Sequence, residues 1–106
     1  MKLVLAIVSN DDRSVLSTEL IRSGFQVTKL ATTGGFLKSG NTTFIIGVDD
    51  EKVEKVLEVI KQYSSRRTEM VPSPSIDTGM YAPMPVQINV GGATVFVLDV
   101  EQFKKL

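Results

Sequence analysis

Apolar residues enter this chain in short blocks with two different periods. Leu3 to Val8, LVLAIV, is a continuous apolar run of the kind found in a strand covered on both faces, or on one face and by a subunit partner. Polar Asn10, Asp11 and Asp12 follow as helix caps, and Leu16 and Leu20, flanked by Val15 and Ile21, then make a helical core-facing set that Gly24 ends. From Phe25 to Ala31 the pattern alternates, placing Phe25, Val27 and Lys29 on one face of a predicted strand and Gln26, Thr28 and Leu30 on the other. Thr43 to Val48 reads as a third strand. Asp49 and Asp50 cap a second predicted helix, in which Val53, Val56, Leu57 and Ile60 keep the i, i+3, i+4, i+7 spacing of a buried stripe. Its Glu and Lys residues, with Glu51 and Lys55 spaced for a surface pair, form a solvated face.

Arg66 and Arg67 read as a solvated helix end that complements the helix dipole, with phosphate ligation as the alternative. Residues 71–85, VPSPSIDTGMYAPMP, hold all four prolines and carry neither period, so a long loop is expected, either functional or disordered. We favour a mobile loop over a cleft. Val86, Ile88 and Val90 alternate with Gln87 and Asn89, Gly91 and Gly92 supply a two-residue hairpin turn, and Ala93 to Leu98 is the returning strand. The tail from Asp99 to Leu106 is expected to add one or two helical turns. The order strand, helix, strand, strand, helix, strand predicts an α+β domain of the ferredoxin-like βαββαβ type, with a C-terminal hairpin and a long loop, over residues 1–106. Helices cover one side of such a sheet. Strands as apolar as LVLAIV, TFIIGV and ATVFVL leave the other side in need of cover, which oligomerisation supplies.

Composition narrows the chemistry. Twelve basic residues balance twelve acidic ones, so there is no basic field to attract polymeric DNA or RNA. The apolar opening is too short for a membrane span and lacks a signal-peptide cleavage pattern, and a cytoplasmic protein with no membrane partner is expected. Without Cys there is neither disulfide nor thiolate chemistry, and without His the usual general base and commonest transition-metal ligand are missing. A metal site would need carboxylates alone, and none is assigned.

The segment Thr28 to Thr43, TKLATTGGFLKSGNTT, stands apart. Gly34, Gly35 and Gly40 allow close approach of backbone to a ligand, while Thr32, Thr33, Ser39, Asn41, Thr42 and Thr43 offer neutral hydrogen-bonding groups. Phe36 and Leu37 have nothing local to bury against. On chemistry alone, a ligand cradle and an ordinary hairpin loop are equally open.

From Gly24 to Phe44, and again over Gly91-Gly92-Ala93-Thr94-Val95-Phe96-Val97-Leu98, the sequence resembles the PII-like cyclic di-AMP receptors, a family of small bacterial homotrimers that bind the dinucleotide between subunits. The resemblance extends over essentially the whole chain. It implies a ligand site at Thr28, Gly34, Gly35, Phe36, Leu37, Asn41 and Gly47, with Gly92 contributed by the adjacent subunit. In that reading Gly34 and Gly35 form an anion-binding turn, Thr28 donates to phosphate or ribose, Asn41 pairs with an adenine edge, and Phe36 and Leu37 pack on the purine. Position 26 departs from the family, which often carries a basic residue there where this chain has Gln26. Lys29 or Lys38 is the expected substitute for that charge.

The resemblance thus implies a non-enzymatic signalling protein that binds cyclic di-AMP, needs no cofactor, changes loop conformation and signals to an unidentified protein partner. Alternatives are a PII-like sensor of another adenine nucleotide and a trimeric protein-binding scaffold. Catalysis would have to come from Asp49 and Asp50, Asp77, or a Ser with Lys29 or Lys38 as base, and none forms a recognised constellation, so no catalytic residue is assigned.

Overall fold

A computed structural model of the chain describes residues 1–30, 40–72 and 85–106. In chain order the elements are β1 (Lys2–Ser9), α1 (Arg13–Arg22), β2 (Val27–Leu30), β3 (Asn41–Val48), a 3-10 turn at Asp50–Lys52, α2 (Val53–Ser64), β4 (Arg67–Pro72), β5 (Pro85–Val90) and β6 (Ala93–Asp99). β2, β3, β1 and β6 lie side by side in one sheet, every neighbouring pair antiparallel, and β4 with β5 makes a separate two-stranded ribbon. This α+β arrangement is consistent with a ferredoxin-like fold, with the ribbon inserted before the last strand of the sheet.

Strand alternation decides which side of the sheet becomes core. Val4, Ala6 and Val8 of β1 and Phe44, Ile46 and Val48 of β3 point to one face, where they meet Leu16 and Leu20 of α1 and Val56, Val59 and Ile60 of α2. Phe25, just before β2, closes the cluster. On α1 the buried stripe is narrower than the sequence suggests: Val15 and Ile21, expected to face the core, are 51% and 60% exposed. Positions next to Leu16 and Leu20 are turned about 100° away around a helix of 3.6 residues per turn.

Several expected elements take a different form. Gly91 and Gly92 do not close a hairpin, because β5 pairs with β4 whereas β6 pairs with β1 from Lys2↔Asp99 to Val8↔Ala93. The two glycines instead turn the chain from the ribbon into the main sheet, both with positive φ, and the Gly92 N–H donates to the Ser64 carbonyl at 2.6 Å. A strand's alternation marks its faces but not its partner, and the apolar edge of β1 is the partner β6 takes. Arg67 to Pro72, expected as helix end and loop, is the strand β4. The remainder of the expected loop, 73–84, lies outside the described residues.

At the other end, residues past Asp99 form no helix. Val100 N–H donates to the Met1 carbonyl at 3.2 Å and Lys2 pairs with Asp99, so contacts to the start of β1 carry the pairing to Val100, and a bend follows at Glu101. Nor do the aspartates cap helices with their side chains. Asp12 occupies the N-cap position of α1 and Asp49 that of the 3-10 turn, yet neither carboxylate makes a cap bond. Asp12 binds Arg67, and Asp50 binds the terminal amine of Met1 at 2.9 Å. Glu51 falls in the 3-10 turn, outside the α-helical i, i+4 geometry, and makes no ion pair with Lys55.

Candidate functional site

The sheet face away from the helices carries Thr28, Asn41 and Gly47 of the expected ligand residues. Odd-numbered positions of β1 and β3 face this side, and the register builds it in cross-strand rows: Thr28, Ile45, Leu5 and Phe96 in one, Gly47, Leu3 and Leu98 in the next, and Leu30, Thr43, Ile7 and Thr94 in a third. Thr28 and Gly47 are exposed and Asn41 is half-buried. Asn41 and Gly47 stand six residues apart on β3, about 20 Å at the rise of a strand, so the candidate site is extended. A Cβ placed on Gly47 would touch only Met1 Cε at 3.8 Å, an ordinary contact, which leaves open space above that backbone. Gln26, immediately before β2, is exposed. Gly34, Gly35, Phe36, Leu37 and Lys38 lie outside the described residues.

Lys29 does not share this face. Its partner across the strands is the core residue Phe44, so it belongs to the helix side, where it lines a cleft of about 400 Å³ with Arg13, Ser14 and Val27. Alternation therefore removes Lys29 as a substitute for a basic residue at position 26 on the side of Thr28.

Where β5 turns into β6 a larger cleft opens, of about 660 Å³, within the range of small-ligand sites. Asn41 and Gly92 line it together with Lys61 and Arg66, and Asn89 and Thr94 add neutral hydrogen-bonding groups. No carboxylate is among its described walls. Within one subunit the structure thus brings Asn41 and Gly92 to one cavity, whereas the resemblance implies Gly92 from the adjacent subunit, and it leaves Thr28 and Gly47 further along the open face. Lys61 was hidden in the sequence because it also fits the solvated face of α2.

The adjacent arginines have separate fates. Arg67 extends to Asp12, with Nη2 to Oδ1 at 2.7 Å and Nη1 to Oδ2 at 3.3 Å, and also donates to the Ser65 carbonyl. Hydrogen bonding to the Asp12 carboxylate, then its charge, raises the Arg67 pKa above the ordinary value. Arg66 is exposed, and among the described residues it has no ion-pair partner.

One further feature had no sequence signal. Thr43, between Asn41 and Ile45 on the same face of β3, is 2% exposed, and its hydroxyl is the one buried side-chain polar atom among the described residues that lacks a hydrogen-bond partner. Such atoms are uncommon in folded proteins. Among the described residues there is also no group of three carboxylates placed to hold a metal ion, and no helix is long and apolar enough to cross a membrane.

Comparison with known proteins adds two findings. The sequence model of the cyclic-di-AMP receptor family matches residues 1–106. Among solved structures, a functionally unknown protein from Pediococcus pentosaceus is similar at 48% sequence identity and a TM-score of 0.80, over 99% of this chain and 96% of that one.

Proposed function

The chain belongs to the cyclic-di-AMP receptor family, and from that premise we propose that it is a non-enzymatic receptor that binds cyclic di-AMP in clefts between the subunits of a homotrimer. In this reading one domain spans residues 1–106, and the ligand is held by Gln26, Thr28, Gly34, Gly35, Phe36, Leu37, Asn41, Gly47 and Gly92. Occupancy changes the conformation of the loops around the cleft, and a protein partner reads that change.

The observation that carries the proposal is the shared face of Thr28, Asn41 and Gly47. All three stand on the side of the sheet that no helix covers; Thr28 is in register with Ile45, Leu5 and Phe96, Gly47 with Leu3 and Leu98, and Asn41 with Ser9 at the end of the strands. Phe96 and Leu98 are 51% and 47% exposed in the single subunit, and covering such a surface favours association. A ligand on this face would then lie where subunits meet. The chemistry of the positions is suited to the dinucleotide: a hydroxyl at Thr28 for phosphate or ribose, an amide at Asn41 for an adenine edge, and an unobstructed backbone at Gly47.

Calorimetry against cyclic di-AMP, cyclic di-GMP, ATP, AMP and cyclic AMP tests the proposal, with light scattering on the same samples. The expected result is tightest binding of cyclic di-AMP to a species of three subunit masses. Tightest binding of a mononucleotide would redirect the reading to another adenine nucleotide sensor. Failure of every nucleotide to bind would leave a protein-binding scaffold.

A further inference from the structure

Phosphate charge needs a counterpart that Gln26 does not provide; Lys29 lines a different cleft from Asn41, and Lys38 lies outside the described residues. We infer that Lys61 and Arg66, from α2 and the segment after it, are the cations that neutralise the phosphates of the bound dinucleotide. The inference rests on the receptor reading above and names residues that it does not contain.

Three observations support the assignment. Lys61 and Arg66 line the same 660 Å³ cleft as Asn41, one of the proposed ligand residues, and as Gly92 of the same subunit. Both are exposed, and neither has an ion-pair partner among the described residues, so neither positive charge is committed to holding the fold. The neighbouring acid that might have engaged Arg66, Asp12, is already occupied by Arg67.

Geometry at the corner favours the same conclusion. The backbone after α2 is tied to Gly92 by the hydrogen bond from Gly92 N–H to the Ser64 carbonyl, and a Cβ built on Gly92 would lie 3.7 Å from Arg66 Cβ. Arg66 is therefore seated at the glycine corner, where a side chain at position 92 would occupy the space beside it. Asn89 and Thr94 add neutral hydrogen-bonding groups, and no carboxylate on the cleft's described walls repels an anion. Two cations free of ion pairs among the described residues, beside neutral hydrogen-bonding groups, supply the charge and donors that a phosphodiester requires.

Cyclic di-AMP is titrated into the wild-type protein and into Lys61→Gln, Arg66→Gln, the double variant, Lys61→Arg and the tail control Lys104→Gln, each at low and high salt. Circular dichroism and light scattering establish that each variant retains the fold and mass of the wild type. Each Gln variant is expected to lose about tenfold in affinity, the size of one charged hydrogen bond. The double variant should lose more, with a weaker dependence on salt. Lys61→Arg should restore most of the affinity, and Lys104→Gln should leave it unchanged. Wild-type binding with unchanged affinity and salt dependence in the double variant would overturn the inference while leaving the receptor reading intact. A wild-type protein that does not bind cyclic di-AMP would overturn both.

Discussion

Arg67, the first residue of β4, grips Asp12, the residue that opens α1, with 2.7 Å between Nη2 and Oδ1. The carboxylate is 6% exposed and the guanidinium 40%. The pair joins two parts of the chain 55 positions apart and ties the base of the ribbon to the helical layer. Asp12 is thereby drawn from the capping role its position suggests, because a charged, two-pronged partner outcompetes a single backbone N–H.

Removing one member of this pair is expected to be costly. Arg67→Ala leaves a nearly buried carboxylate without its cation and should lower stability by about 2 to 3 kcal/mol, less than for a wholly buried pair because solvent screens the exposed guanidinium. Urea denaturation measures the loss, and hydrogen exchange should increase first in β4. A double-mutant cycle with Asp12→Ala should return a coupling well above that of an ordinary surface pair. No coupling would mean that the contact contributes little in solution.

Gly91→Ala should be more damaging than Gly40→Ala. Both glycines have positive φ, a conformation that costs an L-residue roughly 1 to 2 kcal/mol. An added Cβ at Gly40 meets open space, whereas at Gly91 it falls on Arg67 Nη1 and lies 2.9 Å from the Ser65 carbonyl oxygen. Equal denaturation midpoints for the two variants would count against this geometry.

Thr43→Val probes the unpaired hydroxyl. No hydrogen bond within the described residues is lost, so stability should stay within about 1 kcal/mol of wild type or rise. Thermal unfolding gives that result. A loss of cyclic di-AMP affinity at unchanged stability would assign the hydroxyl to the ligand.

The open sheet face should control association. Phe96→Glu, at a position 51% exposed in the single subunit, places a charge at the β6 end of an apolar row and should convert the expected trimer into smaller species at micromolar concentration. Light scattering reads the mass, and circular dichroism should be unchanged. A Phe96→Glu protein of wild-type mass would move the interface elsewhere.

Two terminal ion pairs predict opposite pH effects. Hydrogen bonding to the Met1 amine lowers the Asp50 pKa, so its stabilisation is present above the unfolded carboxylate value of 3.8 and is lost as pH falls through the lower folded value. Hydrogen bonding to Asp99 raises the Lys2 pKa, so that contribution is complete below the unfolded value of 10.5 and is lost as pH rises through the higher folded value. Asp50 is exposed, and Lys2, though half-buried, meets an exposed Asp99, so solvent screens both pairs and the effects should be small. Asp50→Asn should flatten the acid limb of unfolding temperature against pH, and Lys2→Met the alkaline limb; a curve that keeps its wild-type slope would exclude the corresponding pair.

The periodicity of the chain by itself determined the two helices, the strands around Leu3, Thr43, Val86 and Ala93, a strand expected from Phe25 that forms only over Val27–Leu30, and the alternation that puts Thr28 opposite the face of Val27. Those features are local: each depends on residues two to four positions apart. The open apolar face was legible for the same reason, since helices on one side cannot cover the other. What only the tertiary structure decided was pairing across long separations. The alternation of β5 and β6 is equally compatible with a hairpin, and it took the edge of β1 to show that Gly91 and Gly92 are a corner between sheets. Likewise Arg66 and Arg67 are indistinguishable as a dipeptide. A buried carboxylate far away in the chain claims one guanidinium, while the glycine corner leaves its neighbour at the mouth of a cleft with Lys61, because charge pairing in a fold is settled by distance in space.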